Sequence, residues 1–184
     1  MDKQGTSDPE MATAAPRRTL QIFRGKDAPT LDEHGCMSYS IPEDAAPRLA
    51  ELAELGMNDG AELSVLYSAP GFSLAYAWFK PGYMLPLHAH NSDCLYYVIA
   101  GQLHMGTETL GAGDGFFLPA EAWYSYTAGP EGVEILEFRH EEHFDFKVRS
   151  GVPKLWERLA ESCMKSRDGW KDAVRPVRRM PVEG

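Results

Sequence analysis

Residues 81–106 read PGYMLPLHAHNSDCLYYVIAGQLHMG. Proline and glycine open the stretch as a turn, and LYYVIA then has the aromatic and β-branched composition of a strand until Gly101 interrupts it. In an extended chain alternate side chains share a face, so His88 and His90 point the same way, about 6–7 Å apart along the backbone, and their imidazoles can converge on one ion. A pair of partly exposed polar residues on a strand has the same spacing. If Cys94 faces inward, the same parity brings Tyr96 and Val98 inward with it.

Outward from this stretch, the segment from about Glu62 to His140 is a series of short apolar or alternating runs. These are ELSVLY, FSLAYAWF, LYYVIA, FFLP and VEILEF, separated by APG, KPG, AG, GAGDG and AGPEG. Short strands with turns every ~8–12 residues predict an all-β antiparallel barrel or sandwich. In AEAWYSYTA, Tyr124 and Tyr126 share one parity, which leaves Trp123 on the other face or at a strand edge. An interior of Tyr96, Val98, Tyr124 and Tyr126 suits a small aromatic or oxygenated ligand, and plain barrel packing uses such side chains equally well.

The flanks read differently. Residues 1–18 hold almost no large apolar side chains and are expected to be a flexible tail. In the arm 19–61, PEDAAPRLAELAELG predicts a helix with Asp44 as cap, Pro47 in the first turn, Leu49, Leu52 and Leu55 on one stripe and Gly56 as stop. Residues 62–148 are then the barrel and 149–184 a C-terminal helix and tail. The helix is VPKLWERLAESCMKS, with Leu155, Leu159 and Cys163 on its stripe beside Trp156 and Met164. RPVRRMPVEG, with Arg175, Arg178 and Arg179, is expected to be solvated.

The stretch 82–101 resembles the first motif of the cupin superfamily, G-x5-H-x-H-x(3,4)-E-x6-G, through Gly82, His88, His90 and Gly101. GDGFFLPAEAWYSYTA echoes the second, G-x5-P-x-G-x2-H-x3-N, through Gly113 and Pro119. The resemblance covers about residues 62–140. It implies a cupin-like antiparallel jelly-roll barrel, here flanked by an N-terminal and a C-terminal helix. It also implies a divalent transition metal, Fe first and Zn, Ni or Mn next, held by His88 and His90. Where the family has its glutamate this chain has Cys94, which as a thiolate would be a third ligand or an outer-shell residue, and otherwise a small buried hydrophobe. The family's second-motif glycine is Glu121 here, its last histidine is Tyr124, and its asparagine is Ala128. Tyr124 is then the candidate proton donor beside the ion, or a core aromatic. Cysteine at the glutamate position is similar to the thiol dioxygenases of the cysteine dioxygenase type, although H-x-H-x3-C is one residue shorter than theirs. That group's cysteine–tyrosine link would here join Cys94 to Tyr124 or Tyr126. The remaining ligand candidates are His104, whose neighbours Leu103 and Met105 argue that it faces out, and Asp93, if the strand enters with a bulge. His34 reads as structural or exposed, and His140 and His143 as exposed in a charged rim.

Eighteen Lys and Arg against 27 Asp and Glu leave a formal charge of −9, which repels nucleic acid and anionic membrane surfaces. Three widely spaced cysteines form no disulfide framework, and no apolar run reaches the length of a membrane span. The expectation is a cytoplasmic protein that binds a small molecule and pairs as a homodimer through the Trp156 helix and the strand FSLAYAWF. Three functions compete: a metal-dependent, dioxygenase-type enzyme acting on a small organic molecule; a non-catalytic ligand-binding or sensory protein; and a metal-independent isomerase or cyclase using Tyr124 with a histidine.

Overall fold

The computed structural model describes residues 19–177, so the tail expected at 1–18 and the end of the chain with Arg178 and Arg179 lie outside the described residues. In chain order the elements are α1 (Leu31–His34), β1 (Met37–Ser40), α2 (Ala46–Glu54), β2 (Ala61–Ala69), β3 (Phe72–Phe79), β4 (His88–Ala89), β5 (Cys94–Met105), β6 (Glu108–Gly111), β7 (Gly115–Leu118), β8 (Thr127–Arg139), β9 (Phe144–Val148) and α3 (Pro153–Trp170). The five apolar runs of the sequence are β2, β3, β5, β7 and β8. They form one sheet in the order β2-β3-β8-β5-β6, with β7 also paired to β5. A second sheet is β1-β9-β4; the barrel core is built from the inward side chains of β3, β5, β7 and β8 with Leu85, Tyr124 and Tyr126, and the second sheet meets it where Phe144 of β9 lies against Arg139 of β8, in a cupin-type jelly roll.

The alternation reasoning holds through the barrel. Cys94, Tyr96 and Val98 are buried while Leu95 and Tyr97 are exposed, and Tyr124 and Tyr126 are buried while Trp123 is exposed. Near Gly101 the β5–β8 register shifts, so that Leu103 is inward and His104 outward, where its Nδ1 meets the Thr109 hydroxyl at 2.9 Å. Gly101 has φ +70°, and a Cβ there would run into the Gly132 carbonyl oxygen.

Several expectations need correction. Asp44 does not cap α2: the N-cap is Ala45, and a turn closed by backbone bonds from Ala45 and Ala46 to the Pro42 carbonyl starts the helix instead. Only Leu52 of the Leu49, Leu52 and Leu55 stripe is fully buried. Helix α3 runs past Ser166 to Trp170, because Trp170 is buried against Tyr83 and donates its indole N–H to the Pro81 carbonyl at 2.9 Å. Trp156 packs inside with Leu52, Met57 and Leu159. Arg175 is not free in solvent. It donates to Glu62 and lies over the rings of Tyr76 and Trp78, a cation–π contact worth about 0.5–1 kcal/mol at a surface.

The largest departure is β9. RHEEHFDF reads as a charged rim, and His140 and His143 are indeed exposed. The residues after them nevertheless form a strand that joins β1 in parallel and β4 in antiparallel register. The alternation Phe144, Phe146, Val148 puts apolar side chains on one face, and a strand with that face buried is stable against slippage.

Glu121, standing where the motif has glycine, has φ +65°, a left-handed conformation that glycine adopts without strain. Its backbone N–H donates to the His90 carbonyl at 2.7 Å, and its carboxylate pairs with Lys147, so the turn that follows the site is fixed from both sides. Replacing Glu121 by Gly or by Ala removes the same ion pair, but only Ala keeps the strained φ. Urea unfolding should find Glu121→Gly more stable than Glu121→Ala by about 1 kcal/mol. Equal stabilities would mean that the turn relaxes and stores no strain.

Candidate functional site

The site begins with β4. Pro86 biases the chain before it to an extended conformation, and His88 exchanges backbone hydrogen bonds with Tyr124, N–H to O at 3.0 and 2.9 Å. On the other side β4 pairs with β9. His88 and His90 therefore both enter the barrel, buried, with ring centroids 5.2 Å apart and planes nearly perpendicular. The His88 ring stacks on Phe146 at 4.7 Å.

Each imidazole is tied by its Nδ1. His88 Nδ1 lies 2.7 Å from the Pro86 carbonyl oxygen and His90 Nδ1 lies 2.5 Å from that of Asp145. A carbonyl only accepts, so each Nδ1 carries the proton and each Nε2 presents a lone pair. The Asp145 carbonyl is itself held in place by a reciprocal clamp. Asn91 N–H donates to Asp145 Oδ1 at 2.7 Å and Asp145 N–H to Asn91 Oδ1 at 2.9 Å. Burial, with the neighbouring His90, pushes His88 down to about 3, and burial with the Arg139 cation lowers His90. Both rings are neutral at physiological pH.

Tyr124 supplies the next layer. Its hydroxyl is 2.6 Å from that of Tyr96 and 3.3 Å from His90 Nε2, while Arg139 Nη2 reaches Tyr96 Oη at 3.4 Å and Glu137 Oε2 at 2.8 Å. One end of this chain can only donate and the other can only accept. Each hydroxyl gives and takes one proton if Arg139 donates to Tyr96, Tyr96 to Tyr124, and Tyr124 to His90. Burial raises both phenols well above their ordinary range, so they stay protonated. Glu137 and Arg139 form a buried ion pair, and the guanidinium also lies over the Phe144 ring at 4.0 Å.

A cavity of about 1120 Å³ opens onto this group. His88, His90, Tyr124, Glu137, Phe144 and Phe146 form its inner wall, and α2 with the arm around Lys26–Asp32 forms its outer boundary. Tyr96, Val98 and Tyr126 face inward as their parity requires but belong to the closed core and contribute nothing to that wall. The same is true of Cys94, whose thiol burial pushes up to about 12 against the pull of Arg139. Asp93 accepts from the Ala120 N–H at 2.7 Å, closing a loop, and His104 lies on the outer surface. Glu137 and Arg139 were not anticipated. The signal was present, since Val133, Ile135, Glu137 and Arg139 follow one parity along β8.

The donor set fits a metal only in part. Two neutral imidazoles whose Nδ1 protons are fixed by carbonyls have the outer support that ligating histidines usually have. The third position holds a phenol that already donates to His90, and Cys94 is a protonated thiol. Among the described residues no group of three or more His, Cys, Asp or Glu side chains is arranged to hold a metal ion.

No protein-family profile matches the chain, and no curated protein sequence matches it. Solved structures similar to part of it include an RmlC-like cupin from Shewanella frigidimarina, 24% identical over 44% of this chain and 76% of that one with a TM-score of 0.41. KdgF from Halomonas sp. is 23% identical over 45% and 80%, with a TM-score of 0.40. Salicylate 1,2-dioxygenase from Pseudoaminobacter salicylatoxidans is 15% identical over 58% and 36%, with a TM-score of 0.43. The strand order and the placement of the motif residues make the fold of the chain a cupin-type jelly roll. Among the described residues no helix is long and apolar enough to cross a membrane.

The buried histidines predict how stability responds to acid. His88 is neutral in the folded chain down to about pH 3, whereas an exposed histidine takes up a proton near 6.5. Between those values the unfolded chain binds the extra proton, so stability is intact above about 6.5 and falls by about 1.4 kcal/mol per pH unit below it, with His90 adding to the loss. Urea titrations of chelator-treated protein between pH 7 and 4 should show this slope, and His88→Phe should reduce it. A slope unaffected by the substitution would assign the acid sensitivity elsewhere.

Proposed function

We propose that the barrel interior is the active site of a metal-independent enzyme that shifts a proton on a small carbonyl compound, a reaction of the isomerase or cyclase kind. The observation that carries this reading is the Tyr124 hydroxyl on the cavity wall, 3.3 Å from the neutral His90 Nε2 and backed by the Tyr96 hydroxyl at 2.6 Å. A substrate carbonyl oxygen that displaces His90 as the acceptor takes the Tyr124 proton, and His90 Nε2, freed of that hydrogen bond, accepts a proton from the carbon next to the carbonyl. The spacing of the two groups matches the O=C–C–H span across which a ketone becomes an enol. The Tyr124 oxygen, left negative, is held by the Tyr96 O–H with the Arg139 cation behind it. Return of the proton from His90 to Tyr124 across their hydrogen bond restores the site. Because Tyr124 holds its proton tightly, it suits an acceptor as basic as an enolate oxygen and not a weaker one.

A second reading, metal-dependent and dioxygenase-type, is favoured by the two Nδ1 tethers, which put the lone pairs on Nε2, that of His88 without a hydrogen bond and that of His90 engaged by the Tyr124 hydroxyl, which an ion would displace. His88 and His90 would hold a divalent transition metal, which would supply Lewis acidity and open positions for substrate and O₂. Deuterium exchange into a panel of small ketones and keto acids, followed by NMR with chelator-treated protein, separates the two. The proton-shift reading expects exchange with wild type and a loss of at least 100-fold in Tyr124→Phe, with the fold intact and about 1–3 kcal/mol of stability lost because Tyr96 and His90 lose a partner. Turnover or O₂ uptake that appears only after iron is added, and that Tyr124→Phe retains, would replace it with the metal reading. Binding without either would leave a ligand-binding protein.

A further inference from the structure

The buried ion pair of β8 is oriented. Glu137 lines the cavity with its carboxylate, while Arg139 does not touch the cavity and is almost fully enclosed, with side-chain exposures of 10% and 1%. The guanidinium is closed off by the Phe144 ring on one face and by Glu137 and Tyr96 at Nη2. Its Nε and Nη1 are buried without hydrogen-bond partners, so a molecule in the cavity cannot reach them. Although the pair is neutral as a whole, its negative end faces the ligand space.

The other polar atoms at this end of the cavity have the same sense. His88 presents an Nε2 lone pair, because its Nδ1 proton is given to the Pro86 carbonyl. Phe144, Phe146, Tyr39 and Tyr124 add aromatic rings, whose faces carry negative potential. The positive groups on the cavity boundary are Lys26, which sits beside Asp27, and Arg175, which pairs with Glu62; both belong to its outer part. An anion at the inner end would meet a carboxylate and an imidazole lone pair, with the Tyr124 hydroxyl as the donor beside them. Its desolvation would be uncompensated. A cation would exchange water for a carboxylate, a lone pair and ring faces.

We infer that the inner end of the cavity selects a small organic ammonium ion, with the N–H donors directed at Glu137 and the carbon skeleton against the aromatic rings. This deepens the proton-shift reading by giving the carbonyl substrate an amino group, and it rests on that reading only for the reaction and not for the binding. Glu137 is then a specificity-determining residue that the cupin-like motifs do not contain.

The test is calorimetric titration with two probes of one size and opposite charge, benzylammonium chloride and sodium benzoate, at pH 7.5 and low salt. Benzylammonium should bind at least 10-fold more tightly than benzoate, and Glu137→Gln should remove that preference. Because the single substitution leaves Arg139 charged and unpaired, the double variant Glu137→Gln/Arg139→Met, which removes both charges together, is measured beside it. It should fold and also lose the preference. Benzoate binding as tight as benzylammonium, no binding of either probe, or a preference that survives in the folded double variant would each overturn the inference. No turnover is measured, so failure of the proton-shift reading leaves this result standing, and the reverse also holds.

Discussion

The backbone of β9 is the constraint on which the site depends. By pairing with β1 and β4 it builds the second sheet, and by its Asp145 carbonyl it fixes the proton of His90 on Nδ1. The Asn91–Asp145 clamp locks the register between the loop after β4 and this strand. Phe144 and Phe146 from the same strand then cover the Arg139 guanidinium and the His88 ring. A slip of one residue would exchange Phe146 for Lys147 or Asp145 at the ring of His88 and would remove the carbonyl from His90. The tautomer of His90 therefore follows from strand register, while burial and the Arg139 cation keep its ring neutral.

Electrostatically the interior keeps its charge to a single pair. Burial holds both histidines neutral and both central tyrosines protonated, leaving Glu137 and Arg139 as the charged groups among the residues joined there by hydrogen bonds. A buried ion pair contributes little net stability compared with apolar packing of the same volume, because each ion loses several kcal/mol of hydration. Its position beside the tyrosine chain and on the cavity wall gives it a different value: a fixed field aimed at whatever enters. Arg139, with partners only on Nη2, orders the hydroxyl protons toward His90.

Much of this was legible in the sequence where a single periodicity decides the outcome. The two-residue alternation located β2, β3, β5, β7 and β8 and placed Cys94, Tyr96, Val98, Tyr124 and Tyr126 inside together. Along β8 the same alternation continues through Glu137 and Arg139, which look like the polar end of a strand because only their mutual pairing permits burial. The strand β9 was hidden by the acidic residues before it, although Phe144, Phe146 and Val148 alternate. Other features had no sequence signal. The partners of the two Nδ1 atoms are backbone carbonyls, one of them 55 residues away, and no residue type reports a carbonyl's direction. The burial of Trp156 against α2 also depends on how two distant helices meet.

What the motif departures do to the site follows from the same accounting of donors and lone pairs. A histidine at position 124 would bring a third nitrogen lone pair toward those of His88 and His90, and three lone pairs facing one point require a cation between them. Tyrosine brings an O–H instead. That proton satisfies the His90 lone pair within the protein, and the phenolic oxygen takes the Tyr96 proton in turn. Cysteine at position 94 acts in the same direction, since a buried thiol keeps its proton where a carboxylate would have added charge. Glu137 restores a carboxylate to the interior, but from β8 and neutralised by Arg139. The tyrosine, the thiol and the paired acid together make an arrangement that is self-satisfied without an ion, and whose remaining acceptors face the cavity.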